Sequence, residues 1–200
     1  GGGSSLHAGT NRTGSANDYH ALDLTLPDHG GGLGRPVLAV ASGTVVRAGW
    51  ATSGWANYGQ RVILRHDFSD GHTYHSLYAH LNAVAVREGD HVDKGQRIGD
   101  LGGSCDGDNQ VIDCPSFGPH LHFALHQDSS VGGSGTGGSY GGHAVVPERI
   151  DDAEDLRQGQ THVSRNNGRP PEPCAQIDGE TVLEEDGPCG RRMGPPQYWH

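Results

Sequence analysis

The feature that most constrains the fold is the close spacing of turn-forming residues in residues 36–125. The apolar segments between them are too short to show the 3.6-residue period of a helix. The apolar segments between the interruptions are short and rich in β-branched residues, as in Val37–Ala41, Thr44–Ala48 and Gln60–His66. Such segments predict strands joined by turns. Only Pro147–Leu156 carries an apolar period that fits one short helix. We therefore expect an all-β fold, built as a twisted antiparallel sheet.

The later apolar segments extend the same pattern. The turn Asp67–Gly71 leads into a long predicted strand over His72–Leu81, and a short strand is expected near Ile98. The last clear strand is Gly118–Leu125. It is followed by a glycine-serine run over Ser129–Gly142, which predicts a mobile surface loop.

Four cysteines form two pairs of near neighbours in the sequence: Cys105 with Cys114, and Cys174 with Cys189. Four cysteines allow three pairings, and neighbour pairing is expected because it closes two short loops. The alternative of a zinc knuckle lacks the required C-x-x-C spacing. We place the main domain at residues 1–158 and a disulfide-stapled appendage at residues 159–200. Disulfides persist in oxidising compartments, so we predict a secreted or periplasmic protein.

The charge and hydropathy of the chain restrict its partners. The formal net charge is −10, which argues against nucleic acid because a phosphate backbone requires a basic surface. No run of 18 apolar residues is present to span a membrane. The chain begins at Gly1 without a signal peptide, which we interpret as a mature or trimmed form whose export signal is missing. A monomer is expected.

Histidine is unusually frequent, with 14 in 200 residues, and the sequence His120-Leu121-His122 is the strongest local motif. Alternate residues of a strand project to the same side, so these two imidazoles are predicted to lie together. H-x-H alone is a weak metal motif. A catalytic zinc site has three protein ligands and an open position, and His7, Asp23 and His80 are further candidates. The helical H-E-x-x-H site is absent from the sequence.

An N-terminal histidine is followed by five sequence blocks. In order, they are YHALDLTLP, PVLAVASGTVVRAG, NYGQRVILRHDFSDGHTYHSLYAHL, VREGDHVDKGQRIGDLG and GPHLHFAL. This arrangement resembles the lysostaphin/LytM-type zinc metallopeptidases, and the loop bounded by Cys105 and Cys114 is similar to the β-lytic branch. The resemblance covers residues 7–125. It implies a sheet with a groove that contains one zinc ion per chain, and it implies hydrolysis of peptide bonds in bacterial peptidoglycan.

Carried onto this sequence, the resemblance implies that His7, Asp23 and His122 bind zinc, whereas His80 and His120 are catalytic without binding the metal. The sequence departs from the short H-x-x-x-D pattern of many relatives, because His20 and Asp23 are separated by only two residues. We therefore prefer His7 over His20 as the first ligand. Relatives divide between glycine-glycine bridges and D-alanyl cross-links, so the cleaved bond is left open.

Two other functions remain as alternatives. A non-catalytic module of the same fold would bind peptidoglycan or activate an amidase, but such proteins typically lose zinc ligands. A biotinyl or lipoyl carrier domain resembles VREGDHVDKGQRIGDLG, but Lys94 lies between Asp93 and Gly95 instead of between apolar residues at a hairpin tip. Even-numbered positions in the long strand place Tyr78 on the face of His80, which suggests a tyrosine near the zinc.

Overall fold

The computed structural model describes residues 20–27, 30–52, 56–129, 131, 143–145, 176–177 and 180–181. Within them the main sheet contains nine strands: β1 Leu22–Leu24, β2 Pro36–Leu38, β3 Gly43–Trp50, β4 Gln60–Asp67, β5 Thr73–Val84, β6 His91–Val92, β7 Arg97–Leu101, β8 Leu121–Gln127 and β9 His143–Ala144. A separate small hairpin comprises β10 Gln176–Ile177 and β11 Glu180–Thr181. The helical element of this part of the chain is a 3-10 turn at Ala56–Tyr58. The predicted all-β class is confirmed.

Strand β5 is the centre of the sheet. It pairs with β4, with β8 and, toward its C-terminal end, with β7. The longest path through the sheet runs β1-β8-β5-β4-β3-β6, with β2 against β7 and β9 against β8. Every strand pairing in the described residues is antiparallel. Strands β4 and β5 are joined through residues 68–72, as the predicted turn at Asp67–Gly71 indicates, whereas the connection from β3 to β4 covers residues 51–59.

The two faces of the sheet are separated by the alternation of its side chains. Val62, Tyr78 and Phe123 are cross-strand neighbours on one face and belong to the larger apolar core. Ile63 and Leu77 are neighbours on the opposite face, in a smaller cluster. Asp23 and His122 lie on this second face, because His122 pairs with an alanine of the same cluster.

Three details differ from the sequence-based expectations. Strand β2 ends at Leu38 instead of continuing to Ala41, and the short strand β1 carries too few residues to produce a recognisable alternation. Tyr78 does not line the site: it is 1% exposed and its hydroxyl accepts the Val40 N–H at 3.0 Å. Tyr78 lies among the apolar side chains of the larger core. The Val40 N–H provides the hydrogen-bond partner that a buried tyrosine hydroxyl requires.

Several expectations fall outside the described residues. The predicted helix at Pro147–Leu156, most of the loop at Ser129–Gly142 and the Cys174–Cys189 disulfide belong to this group. The division into residues 1–158 and 159–200 stays a prediction. The Cys105–Cys114 disulfide is confirmed, with its two Cα atoms 5.5 Å apart.

Candidate active site

The site is organised around a cross-strand pair, Asp23 of β1 and His122 of β8. Directly opposed residues of antiparallel strands project to the same face, so the register itself brings the two side chains together. The His122 Nδ1 lies 2.9 Å from the Asp23 Oδ1. Both side chains are largely buried, with 5% of His122 and 19% of Asp23 exposed. An imidazole nitrogen and a carboxylate oxygen therefore converge in a partly desolvated position.

His120 reaches the same pair from the segment that leads into β8. It forms a bridge with Gly102 just before the strand begins. Its Nε2 lies 3.8 Å from the Asp23 Oδ1, and its Nδ1 donates to the Gly118 carbonyl at 3.0 Å. The prediction that His120 and His122 project to one side is confirmed by their shared approach to this carboxylate.

His80 lies at the point where β5 changes partner. Ala79 is opposite His122 of β8, whereas Leu81 is opposite Leu101 of β7. The backbone of His80 has φ 61°, which is uncommon for a residue other than glycine. The pairing of β5 with β4 shifts register at the same level. This bulge breaks the alternation of side chains.

The bulge moves His80 away from the face predicted for it. Its ring lies 4.6 Å from that of His120 and 5.8 Å from that of His122, measured between centroids. Strict alternation would have placed it beside Tyr78, which packs against Phe123 on the opposite face. The expectation that His80 and Tyr78 share a face is therefore wrong. A single-sequence pattern does not reveal where a strand will bulge.

The surroundings of His80 keep its ring neutral. Burial lowers the pKa of His80 to about 4, and the nearby His120 and His122 act in the same direction. The hydrogen bond from its Nδ1 to the Ser104 carbonyl, 2.8 Å long, opposes this effect on the pKa. A neutral imidazole retains one nitrogen lone pair that can accept a proton.

The imidazole nitrogen of His122 and the carboxylate oxygen of Asp23 are donor types that zinc binds in proteins. The pair Asp23 and His122 supplies two such donors on converging strands. Within the described part of the chain, which includes His20, no three His, Cys, Asp or Glu residues are placed to share a metal. His7, the expected third ligand, lies outside the described residues. The zinc assignment of His7, Asp23 and His122 stays a prediction.

Three further residues, Phe117, Tyr58 and Ser104, complete the site. The ring of Phe117 contacts both His80 and His120, at centroid distances of 4.7 and 4.9 Å. The ring of Tyr58 lies 5.5 Å from that of His122. Ser104 supplies the carbonyl that binds His80. For Ser104 and Phe117, proximity in sequence to Cys105 and to the H-x-H motif was the available signal, but it carried no information on orientation.

Residues 27–136 of this chain match the model of peptidase family M23. This match covers more than half of the chain. The chain belongs to peptidase family M23. The expected relationship to the lysostaphin/LytM-type enzymes is confirmed.

Individual relatives are similar over parts of the chain. A Pseudomonas aeruginosa protein named lipoprotein NlpD/LppB homolog is 47% identical over 75 residues, which is 38% of this chain and 23% of the relative. The peptidoglycan DD-endopeptidase ShyA of Vibrio cholerae is 32% identical over 107 residues, 54% of this chain and 20% of the relative. The chain thus spans about a fifth of the length of these relatives.

Solved structures include a similar domain. The catalytic domain of the antimicrobial peptidase lysostaphin from Staphylococcus simulans is 30% identical, with a TM-score of 0.43, and the match covers 61% of this chain and 74% of that domain. Among the described residues there is no helix with the length and apolar character needed to cross a bilayer.

Proposed function

We propose that this chain is a zinc-dependent endopeptidase that hydrolyses peptide bonds of bacterial peptidoglycan. One observation carries the proposal: two histidines, His80 and His120, face a converging carboxylate–imidazole pair, Asp23 and His122. Three donors and an open position define a catalytic zinc site. The pair supplies two of these donors, and we assign the third to His7.

The protein groups divide the chemistry. Bound zinc would polarise the scissile carbonyl and lower the pKa of a water molecule to about 7. His7, Asp23 and His122 would hold the metal, while the neighbouring rings of His80 and His120 would transfer protons and stabilise the developing negative charge. One ring accepts the proton of the attacking water, and the other, in its protonated form, donates to the oxyanion or to the leaving amine. Histidine suits both tasks because its ordinary pKa is about 6.5.

The names of the relatives support this substrate class. ShyA is named as a peptidoglycan endopeptidase, and lysostaphin is named as an antimicrobial peptidase. The peptidoglycan of the cell wall lies outside the cytoplasm, so we place the protein in the periplasm or outside the cell. The lipoprotein name of another relative is consistent with an envelope location. We expect a monomer that acts on wall peptides without nucleic acid or a membrane span.

A non-catalytic wall-binding or amidase-activating module of the same family is the second candidate. The relative named NlpD/LppB homolog carries a name that states no activity, and it has the higher identity of the two curated relatives described above. Retention of Asp23, His80, His120 and His122 in one cluster favours the enzyme, because a module that only binds has no use for this set.

The test combines zinc content with mass spectrometry of digested peptidoglycan, with and without chelator. We expect one equivalent of zinc and peptide products that disappear with the chelator. Asp23→Asn should lose zinc and cleavage together. His120→Ala should retain zinc and lose cleavage by about 10²- to 10⁴-fold. His20→Ala is the matched control and should retain both.

The outcomes separate the two candidates. Cleavage by zinc-free protein would refute the metallopeptidase mechanism. A zinc-bound protein that cleaves neither glycine-glycine bridges nor D-alanyl cross-links would leave the binding module as the better description. Loss of zinc in His20→Ala, with zinc retained in His7→Ala, would move the first ligand from His7 to His20.

A further inference from the structure

The two candidate catalytic histidines are bound by the two ends of one loop. At its start, the Ser104 carbonyl accepts a hydrogen bond from His80 Nδ1 at 2.8 Å. At its end, the Gly118 carbonyl accepts one from His120 Nδ1 at 3.0 Å. A carbonyl oxygen can only accept, so each Nδ1 must carry the proton. In a neutral ring this leaves the lone pair on Nε2.

The loop between these carbonyls is covalently closed. The Cys105–Cys114 disulfide joins positions nine residues apart. Backbone hydrogen bonds reinforce it: Cys105 N donates to the Val111 carbonyl and Cys114 N to the Gly103 carbonyl, each at 2.8 Å. These bonds tie the start of the loop to the segment that leads into the H-x-H motif. Residues 103–105 and 111–114 are thereby joined by one covalent bond and two hydrogen bonds.

Ser104 is fixed to the sheet as well as to the loop. Its hydroxyl donates to the Leu81 carbonyl at 2.6 Å and accepts the Gln60 N–H at 2.9 Å, and the residue is fully buried. Leu81 directly follows His80 in the chain. Ser104 therefore binds this part of β5 twice, through its hydroxyl to the Leu81 carbonyl and through its carbonyl to the His80 ring. This arrangement restricts the direction in which the His80 ring points.

The C-terminal part of the loop adds a packing contact to the two hydrogen bonds. The Phe117 ring lies against His80 and meets His120 edge-on, at an interplanar angle of 79°. Rings held on one side by a carbonyl and on another by an aromatic face have few alternative orientations. In this orientation the Nε2 of His120 points toward Asp23, at 3.8 Å from its Oδ1.

We propose that the disulfide-closed loop 104–118 is the positioning element of the histidine pair. It fixes His80 and His120 as Nδ1–H tautomers, with Nε2 as the proton-accepting atom, and this order depends on the Cys105–Cys114 bond. Ser104, Phe117 and Gly118 are positioning residues, since they act through the two rings. The effect on catalysis rests on the function proposed above, whereas the tautomer assignment does not.

The first test removes the bond with the double variant Cys105→Ser/Cys114→Ser. Imidazole ¹⁵N shifts report the tautomer, and wild-type protein at pH 8 should show Nδ1–H for both rings. The variant should show mixed tautomers, with kcat lower by about 10- to 100-fold. KM should change by less than about twofold and zinc content should be unchanged, since only groups acting after binding are misplaced. Cys174→Ser/Cys189→Ser is the matched control and should behave as wild type.

A second variant keeps the test valid if the loop variant does not fold. Ser104→Ala retains the disulfide and removes only the hydroxyl that fixes the carbonyl, so it should produce the same changes at smaller amplitude. Ile112→Ser alters an exposed residue of the same loop, 45% accessible, and should change neither shifts nor kcat. Wild-type Nε2–H shifts, or Nδ1–H shifts that persist in both loop variants, would overturn the proposal. Nδ1–H shifts in a protein without peptidase activity would instead contradict only the proposed function.

Discussion

Gly59 is the residue whose substitution most directly tests the packing behind the site. Its φ is +61°, and a Cβ built on it would overlap the backbone and hydroxyl of Ser104. The left-handed conformation costs about 1 to 2 kcal/mol for alanine. Displacement of Ser104 would also weaken its two buried hydroxyl hydrogen bonds, each contributing about 1 kcal/mol. We expect Gly59→Ala to lower the free energy of unfolding by about 3 kcal/mol, because the lower entropy of the unfolded chain offsets part of the strain.

Gly71 provides the matched control for this prediction. It also has a positive φ, +85°, but a Cβ there would meet nothing within 4 Å. Gly71→Ala should therefore cost only the backbone strain, partly offset by the lower entropy of the unfolded chain, with a net loss of about 1 kcal/mol. Urea unfolding measures both variants, and m should stay constant if only stability changes. Equal midpoint shifts for the two variants would refute the argument that Ser104 requires a glycine opposite it.

Three other predictions concern the core and its buried histidines. Burial lowers the pKa of His75 to about 4 and also lowers that of His66. Unfolded histidines titrate near 6.5, so the unfolded state binds more protons below that pH. Stability in EDTA should therefore fall by about 1 to 3 kcal/mol between about pH 6.5 and 4, and a flat urea midpoint would contradict this. Leu64→Ala should lose about 2 to 5 kcal/mol of unfolding free energy, whereas the exposed Leu24→Ala should stay within about 0.5 kcal/mol of wild type; equal losses would refute the core assignment. Tyr78→Phe removes the acceptor of the partly buried Val40 N–H and should cost about 1 to 3 kcal/mol in the same assay, so an unchanged midpoint would exclude that bond as a stabilising one.

The sequence predicted those features that depend on local periodicity. Strand alternation was sufficient to place His120 and His122 on one side, and turn residues located β3, β4 and β5. The position of His80 was not accessible to the same reasoning, because its side depends on a bulge at the exchange of partners between β8 and β7. Alternation is valid only where the pairing register is unbroken.

Contacts between distant parts of the chain were the second limit. Asp23 and Ser104 gain their roles from pairing with residues far away in the sequence, and no short pattern specifies such a pairing. The resemblance to known peptidases singled out Asp23, which the structure brings against His122, because family order carries information on tertiary contacts. Ser104 was missed because what it contributes to His80 is a backbone carbonyl, which every residue type possesses.

The Asp23–His122 pair joins residues 99 positions apart, through a strand of three residues at one end of the described sheet path. The β4–β5 connection has five residues and the β3–β4 connection has nine, so both pairings lose little loop entropy and are expected to form early. The β1–β8 contact closes a far longer loop and is expected to form late in folding. A short terminal strand is also the part most able to detach while the centre of the sheet stays intact. The Asp23–His122 contact can therefore be lost by local opening at β1, well before global unfolding exposes Tyr78 in the core.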